Sequence, residues 1–384
     1  GIVHTGKCVH ASEPCVLMSK PRILHVGKLY LPSPGGIETH VRDLAVRHAR
    51  VASVSVVVAN SLARNEVSEI EGVKVTRLAR LGTIASMPIC PSMRAAIRGS
   101  PADIVHIHLP NPSSAVAFIL SGHKGRLVVT HHADTMGRKI LRRFSDPFVS
   151  RLMVMASTII VTSDRYLRSS EELRPFREKC RIIPLGINLE KQRPQVEDIL
   201  EFRRRSDERR VLAVGRLVPY KGFDVLIRAM KQVDGHLDLI GTGPEADSLA
   251  ALAEREGVSD KVSLLGWVDD LRAHLERASV FVMPSVTRAE AFGLAQLEAM
   301  AAALPVVNTD IDTGVPEVSV NGETGLTVAP GDVSEMSNAI SLLLERRDLR
   351  EAFGVAALAR VQAMFSADRM ADRTMALYQT VLAA

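Results

Sequence analysis

A chain of 384 residues with 46% apolar and 24% charged side chains has room for two ordinary domains and excludes disordered, collagen-like and coiled-coil proteins. No run reaches the roughly 18 to 20 apolar residues of a membrane span, and residues 1–20 lack the apolar block of a secretory leader, so a cytoplasmic chain is expected. The net charge of +5 divides unevenly: residues 1–190 carry 26 Lys and Arg against 14 Asp and Glu, the remainder 22 against 29, which points the first half at an anionic partner.

Short β-branched runs predict strands at 23–26, 54–59, 73–78, 104–107, 127–130 and 158–162, with helix-like segments between most of them. The rhythm resumes at 211–214, 237–240, 262–265, 280–283, 305–308 and 326–328. Parallel strands need long crossovers, which helices supply, so the expected fold class is α/β, a doubly wound pattern occurring twice. The boundary falls within 184–210, where the charged run Arg203, Arg204, Arg205, Asp207, Glu208, Arg209 and Arg210 reads as a solvated helix face. Four scattered cysteines, Cys8, Cys15, Cys90 and Cys180, lack paired spacing and read as ordinary thiols. Open α/β sheets bind ligands beyond the carboxyl ends of their strands, so functional residues should follow strands and line a cleft.

Several stretches meet that condition. Pro34-Gly35-Gly36-Ile37-Glu38 lies between the first strand and a helix-like segment, and its glycines allow close approach of backbone to a ligand. Thr130-His131-His132-Ala133-Asp134 ends a strand with two imidazoles and a carboxylate. A metal there needs further ligands; His106 and His108 point the same way but belong to another segment, so no metal is expected. Gly215-Arg216-Leu217-Val218-Pro219-Tyr220-Lys221-Gly222 puts a guanidinium fork and a compact ammonium after a strand, a pair suited to a diphosphate. Gly241-Thr242-Gly243-Pro244-Glu245-Ala246 matches a dinucleotide fingerprint, but no acidic residue ends the next strand, so a tight turn is the better reading. Finally, Glu290 precedes a helix opened by Phe292-Gly293-Leu294, and Glu298 lies two turns along; helix amino termini attract anions, and carboxylates accept from sugar hydroxyls. Taken singly, each stretch also reads as a plain turn or a solvated charge.

Their order narrows the choice. An early glycine loop, Thr-X-His, Gly-Arg-X4-Lys-Gly and Glu-X7-Glu, with Pro184-Leu185-Gly186, Leu265-Gly266-Trp267-Val268 and Gly314-Val315-Pro316-Glu317, resemble the family 4 retaining glycosyltransferases over nearly the whole chain. The resemblance implies the GT-B fold: Rossmann-like domains at 1–190 on the acceptor side and 191–365 on the nucleotide-sugar side, facing a cleft, with residues 366–384 returning to the first. It further implies that Arg216 and Lys221 hold the donor diphosphate and Glu298 the ribose. Glu290 with the amides of Phe292, Gly293 and Leu294 would surround the sugar, Val268 would meet the base, and Gly35 and Gly36 would close over the phosphates. His132 takes the catalytic position beside the sugar together with Glu290, although neighbouring His131 leaves that choice open by one residue. No cofactor beyond the donor, GDP-mannose or a UDP-sugar, is implied.

Cations alternate with apolar residues from Gly137 through Arg138, Lys139, Arg142, Arg143 and Phe144 to Phe148 and Arg151, a surface suited to anionic headgroups. The expected partners are therefore a nucleotide sugar, a glycan or polyprenyl-diphosphate-linked acceptor, and the inner face of the membrane. Nucleic acid is not expected, because aromatics are only 4% and no recognition motif occurs. The competing readings are a nucleotide-sugar epimerase or phosphorylase on the same fold, and a non-enzymatic binder of anions.

Overall fold

The computed structural model describes residues 20–32, 35–84, 87–134, 139–189, 201 and 208–384. Cys8, Cys15, Pro34, Gly137, Arg138 and the run from Arg203 to Asp207 lie outside the described residues. Ten strands form in the first half: β1 (Arg22–Val26), β2 (Ser53–Ala59), β3 (Glu66–Ile70), β4 (Val73–Leu78), β5 (Gly82–Ile84), β6 (Met87–Ile89), β7 (Ile104–Leu109), β8 (Arg126–His131), β9 (Thr158–Val161) and β10 (Cys180–Ile182). Apart from the β5–β6 ribbon they join one sheet in the order β10-β9-β8-β7-β1-β2-β4-β3, parallel except where β3 meets β4. Strands β7 and β9 are buried at every position, as central strands covered on both faces are, and β7 takes His106 and His108 into the interior with it. Edge strand β3, half exposed and carrying Glu66 and Glu69, has no such run, which is why apolar patterning misses it.

The second half builds β11 (Arg210–Val214), β12 (His236–Ile240), β13 (Val262–Gly266), β14 (Val280–Val282), β15 (Val306–Thr309) and β16 (Gly325–Val328). They form a wholly parallel sheet in the order β13-β12-β11-β14-β15-β16. Each sheet reverses its winding once, beside β1 in the first lobe and between β11 and β14 in the second. Such switch points leave a crevice at the carboxyl ends of the strands.

Each sheet is packed on both faces by apolar side chains. The lobes are joined where Ile187 pairs with Ser366: Ile187 N–H donates to Phe365 O and Ala367 N–H to Ile187 O, both at 2.9 Å. Gly186 is required there, since a Cβ would strike the Ser366 carbonyl. Helix Arg347–Met364 completes the second lobe through Ala357 and Val361, whereas helix Ala367–Ala383 adds Met370, Ala371, Tyr378 and Val381 to the core of the first.

Candidate active site between the lobes

The loop after β11 is pinned by hydrogen bonds from Gly215 N–H to Ile240 O and from Leu217 N–H to Thr242 O, both 2.9 Å, and by burial of Leu217. Arg216 is left exposed, with no ion-pair partner among the described residues. The 3-10 turn Pro219–Lys221 ends at Gly222, whose φ of 67° and contact with the Pro284 carbonyl leave no room for a Cβ. That packing, with Val286 N–H donating to Tyr220 O at 2.9 Å, brings the loops after β11 and β14 together. Lys221 consequently forms a mostly buried ion pair with Glu290, which also accepts from Ser285 Oγ at 3.3 Å. Burial opposes the lysine's charge, but the adjacent carboxylate more than offsets it and the Lys221 pKa is raised.

Gly293 caps helix Leu294–Ala301 at φ 79°, where a Cβ would collide with Met283 Sδ. Phe292 is buried edge-on against Phe365, 5.9 Å between centroids, so its ring anchors the turn and only its backbone is available to a ligand. Leu294 reaches the first lobe: a Cβ on Gly36 would lie 3.4 Å from Leu294 Cδ1. One turn on, Glu298 faces Asp43 of helix Gly36–His48, and burial, followed by that like charge, raises its pKa to about 7. Gly35 starts helix Gly36–His48, with the Glu38 carboxylate folded back over it. Val268 is half-buried beyond β13, and next to it Trp267 is 61% exposed, its indole N–H donating to Asp269 at 2.7 Å. Gly241 and Gly243 are turn residues, each packed against backbone carbonyls of the Arg216 loop.

The adjacent histidines take separate partners. His131 bonds Tyr166 Oη (2.7 Å) and Glu172 (3.2 Å), while His132 N–H donates to Leu109 O at 3.1 Å and its Nε2 lies 3.2 Å from His108 Nδ1. His132 retains 5% exposure. With Nε2 engaged by His108, Nδ1 is the ring nitrogen left for another partner. Burial pushes the His132, His108, His106 and His25 pKa values well down, and those of His40 and His48 to about 3 and 4. This crowd of neutral imidazoles follows from strand pairing: His25 lies opposite His106 in the β1–β7 register, and Leu109 opposite His131 in β7–β8.

Three groups were assigned no role from the sequence. Lys28, directly after β1, is near enough to Arg216 for the two cations to affect each other; burial lowers its pKa, Glu38 opposes the shift and Arg216 adds to it. A lysine at a strand's carboxyl end was the available signal. Arg288 crosses to the first lobe, donating to Asp134 Oδ2 (3.1 Å) and Ser169 O (2.8 Å), and Arg165 pairs back with Asp310 (2.7 Å) and Asp312 (3.2 Å). The structure thus pairs Lys221 with Glu290, sets Leu294 against Gly36 and Glu298 against Asp43 across the lobes, and leaves Arg216 exposed near Lys28, with Val268 at a neighbouring strand end and His132 after a strand of the other sheet.

Residues 34–191 match the family described as Glycosyltransferase Family 4, and residues 196–360 that described as Glycosyl transferases group 1. The chain is 32% identical over 269 residues to the D-rhamnosyltransferase WbpZ of Pseudomonas aeruginosa, spanning 69% of this chain and 70% of that one. It is 27% identical to O-antigen chain mannosyltransferase C of Escherichia coli, over 94% and 99% of the two chains. A mannosyltransferase of Mycobacterium tuberculosis, named as GDP-mannose-dependent and acting on phosphatidylinositol monomannoside, is 28% identical over 92% and 96%. Among solved structures, the sucrose-phosphate synthase of Thermosynechococcus elongatus superposes with a TM-score of 0.79 at 23% identity, covering 95% of this chain and all of that one. HepE of Anabaena, solved with UDP and glucose, gives 0.76 at 19% identity, covering 93% and 99%. By these matches the chain belongs to the family 4, group 1 glycosyltransferases, and it is a hexosyltransferase with the two-domain GT-B fold.

Proposed function

We propose that the enzyme moves a hexosyl group, with retention of anomeric configuration, from a nucleoside-diphosphate donor to a glycan or polyprenyl-diphosphate-linked acceptor, GDP-mannose being the first donor to test. One observation carries the donor reading: Arg216 is exposed with no ion-pair partner among the described residues, and it lies near enough to Lys28 of the other lobe for the two like charges to oppose each other, an effect Glu38 offsets at the lysine. Like charges so placed are stabilised by an anion of the diphosphate class. As the bond from the anomeric carbon to the diphosphate breaks, negative charge grows on the leaving group. Arg216, Lys221 and the amides around Gly293 meet it, an arrangement that asks for no cofactor and no metal at the diphosphate. The acceptor oxygen attacks the same face and its proton passes to the departing phosphate oxygen, so no protein nucleophile is needed. Glu290 keeps Lys221 charged beside the sugar, His132 offers Nδ1 to a sugar hydroxyl, and Glu298 accepts from the ribose. The mannosyltransferases among the relatives support the sugar and the lipid-linked acceptor.

Thermal shifts with GDP-mannose and UDP-sugars, followed by transfer assays, test this. Arg216→Ala and Lys221→Ala should each lower kcat/KM about 100-fold, the loss of one charge-assisted contact to the leaving group. Arg216→Ala is the cleaner variant because that side chain is exposed, and near wild-type transfer by both variants would refute the assignment. A peripheral site at the cytoplasmic face of the membrane is proposed for the first lobe. It is supported by helix Lys139–Met155, which exposes Phe148, Val154 and Met155 around Arg151. Salt-sensitive sedimentation with anionic vesicles is expected, and its absence removes the idea. No helix among the described residues is long and apolar enough to cross a membrane.

A further inference from the structure

Behind the cleft, the imidazoles of His25, His40, His48, His106, His108 and His132 share one buried pocket. Four of their ring nitrogens, His25 Nε2, His48 Nδ1 and both of His40, have no hydrogen-bond partner. A buried polar atom without a partner is destabilising, so such a concentration requires a physical cause. Two all-histidine triads bring one nitrogen from each ring within 4.8 Å of the others: His25 with His106 and His108, and His40 with His108 and His132. The first is already committed to side chains outside the triad, because His106 bonds Tyr378 Oη at 2.5 Å through Nδ1 and Thr130 Oγ1 at 2.6 Å through Nε2, whereas the His108–His132 hydrogen bond of the second lies within the triad and gives way when an ion enters. The third ligand-like group, His131 with Asp134 and Glu172, is likewise engaged by Tyr166, Ser170 and Arg288.

The second triad fits a metal. Metal–nitrogen bonds of about 2.0 to 2.1 Å in a tetrahedral shell place ligand nitrogens about 3.3 Å apart and imidazole centroids about 5.2 Å apart. His108 Nδ1 and His132 Nε2 are 3.2 Å apart. The three centroid separations are 4.8 Å (His40–His132), 5.4 Å (His40–His108) and 5.5 Å (His108–His132). Closing the shell asks the uncommitted His40 ring to swing until one nitrogen, already within 4.8 Å of the other two, reaches ligand spacing. Three neutral nitrogen donors and no oxygen suit zinc, copper or nickel and not magnesium or calcium. We propose that His40, His108 and His132 form a binding site for one borderline divalent transition-metal ion, with the fourth position left to solvent.

The ion lies behind the transfer chemistry and does not take part in it. It joins helix Gly36–His48, which begins at the phosphate-side glycines, to β7 and to the end of β8. It also fixes His132, since ligation through Nε2 leaves the proton on Nδ1 toward the cleft. His108 Nε2–H then donates to His25 Nδ1 at 3.1 Å, the outer hydrogen bond that orients a ligating imidazole.

The test uses the full chain carrying Cys8→Ser and Cys15→Ser, which removes amino-terminal thiols that could capture metal. After chelator treatment, equilibrium dialysis against Zn2+ should leave one ion per chain and raise the thermal midpoint by roughly 4 °C or more. Co2+ should give the intense visible bands of a four-coordinate site, and Mg2+ should produce neither effect. His40→Phe keeps the ring volume and removes two unpartnered nitrogens, so without metal it should melt no lower than the parent while losing the bound ion and the zinc-dependent shift. Failure of the parent chain to retain stoichiometric Zn2+, or equal retention by His40→Phe, overturns the proposal. Metal content and melting are read without donor or acceptor, so the outcome is independent of the transfer assignment.

Discussion

Glu298 illustrates how one side chain couples ligand binding to stability. It is proposed for the donor site on one lobe but faces Asp43 on the other, and burial with that like charge raises its pKa from 4.5 to about 7. The folded protein therefore holds a proton that the unfolded chain releases. Stability falls as pH rises from the ordinary carboxylate range to about 7 and is flat above it. Glu298→Gln should then melt higher than the parent at pH 8, by at most about 3 kcal/mol, with the difference narrowing toward pH 5. Donor affinity of the parent should strengthen as pH is raised through 7, because the ionised carboxylate is the better acceptor for ribose hydroxyls. Calorimetric titration of nucleotide at pH 6 and pH 8 checks this; a flat affinity removes Glu298 from the donor site.

Among the local elements, the turn into helix Leu294–Ala301 is the most demanding. Gly293 combines a left-handed backbone with a Cβ direction blocked by Met283. Gly293→Ala should cost about 1 to 2 kcal/mol in melting and lower donor turnover more than tenfold, because the displaced amides are those proposed to meet the leaving group. Gly331, also left-handed but with open space around it, is the control, and its alanine variant should leave turnover unchanged. This turn was legible in the sequence because a glycine followed a buried strand and opened an apolar helical pattern. The central strands were legible for a related reason: β-branched runs such as residues 104–107 have no other stable place. Strand β3 and the three-residue β10 were not, one being polar at the sheet edge and the other too short for a pattern. The histidine pocket was half legible. Alternation put His106 and His108 on one side of a strand, but their meeting with His25, His40 and His132 depends on register and on a helix docking from elsewhere in the chain. The same limit hid Arg288, whose partners Asp134 and Ser169 lie on the other lobe, and Lys28, whose neighbours Glu38 and Arg216 are distant in sequence or on the other lobe.

Across the whole molecule, the Arg165 contacts between lobes are exposed and individually weak: Arg165 is 32% exposed and its partners Asp310 and Asp312 57% and 65%, so each pair contributes on the order of 1 kcal/mol or less. The stronger tie is helix Ala367–Ala383. Its Tyr378 is fully buried against His106, its Asp368 meets Arg47, and His48 bonds the Ala371 carbonyl at 2.9 Å. The second half of the chain thus carries a piece of the first half's interior. Residues 1–189 and 208–384, produced as separate polypeptides in one cell, should complement each other and elute together as a single particle, whereas a second fragment ending at residue 365 should not be retained. The covalent linker would then be dispensable for cohesion, its task reduced to ensuring that each half finds its own partner.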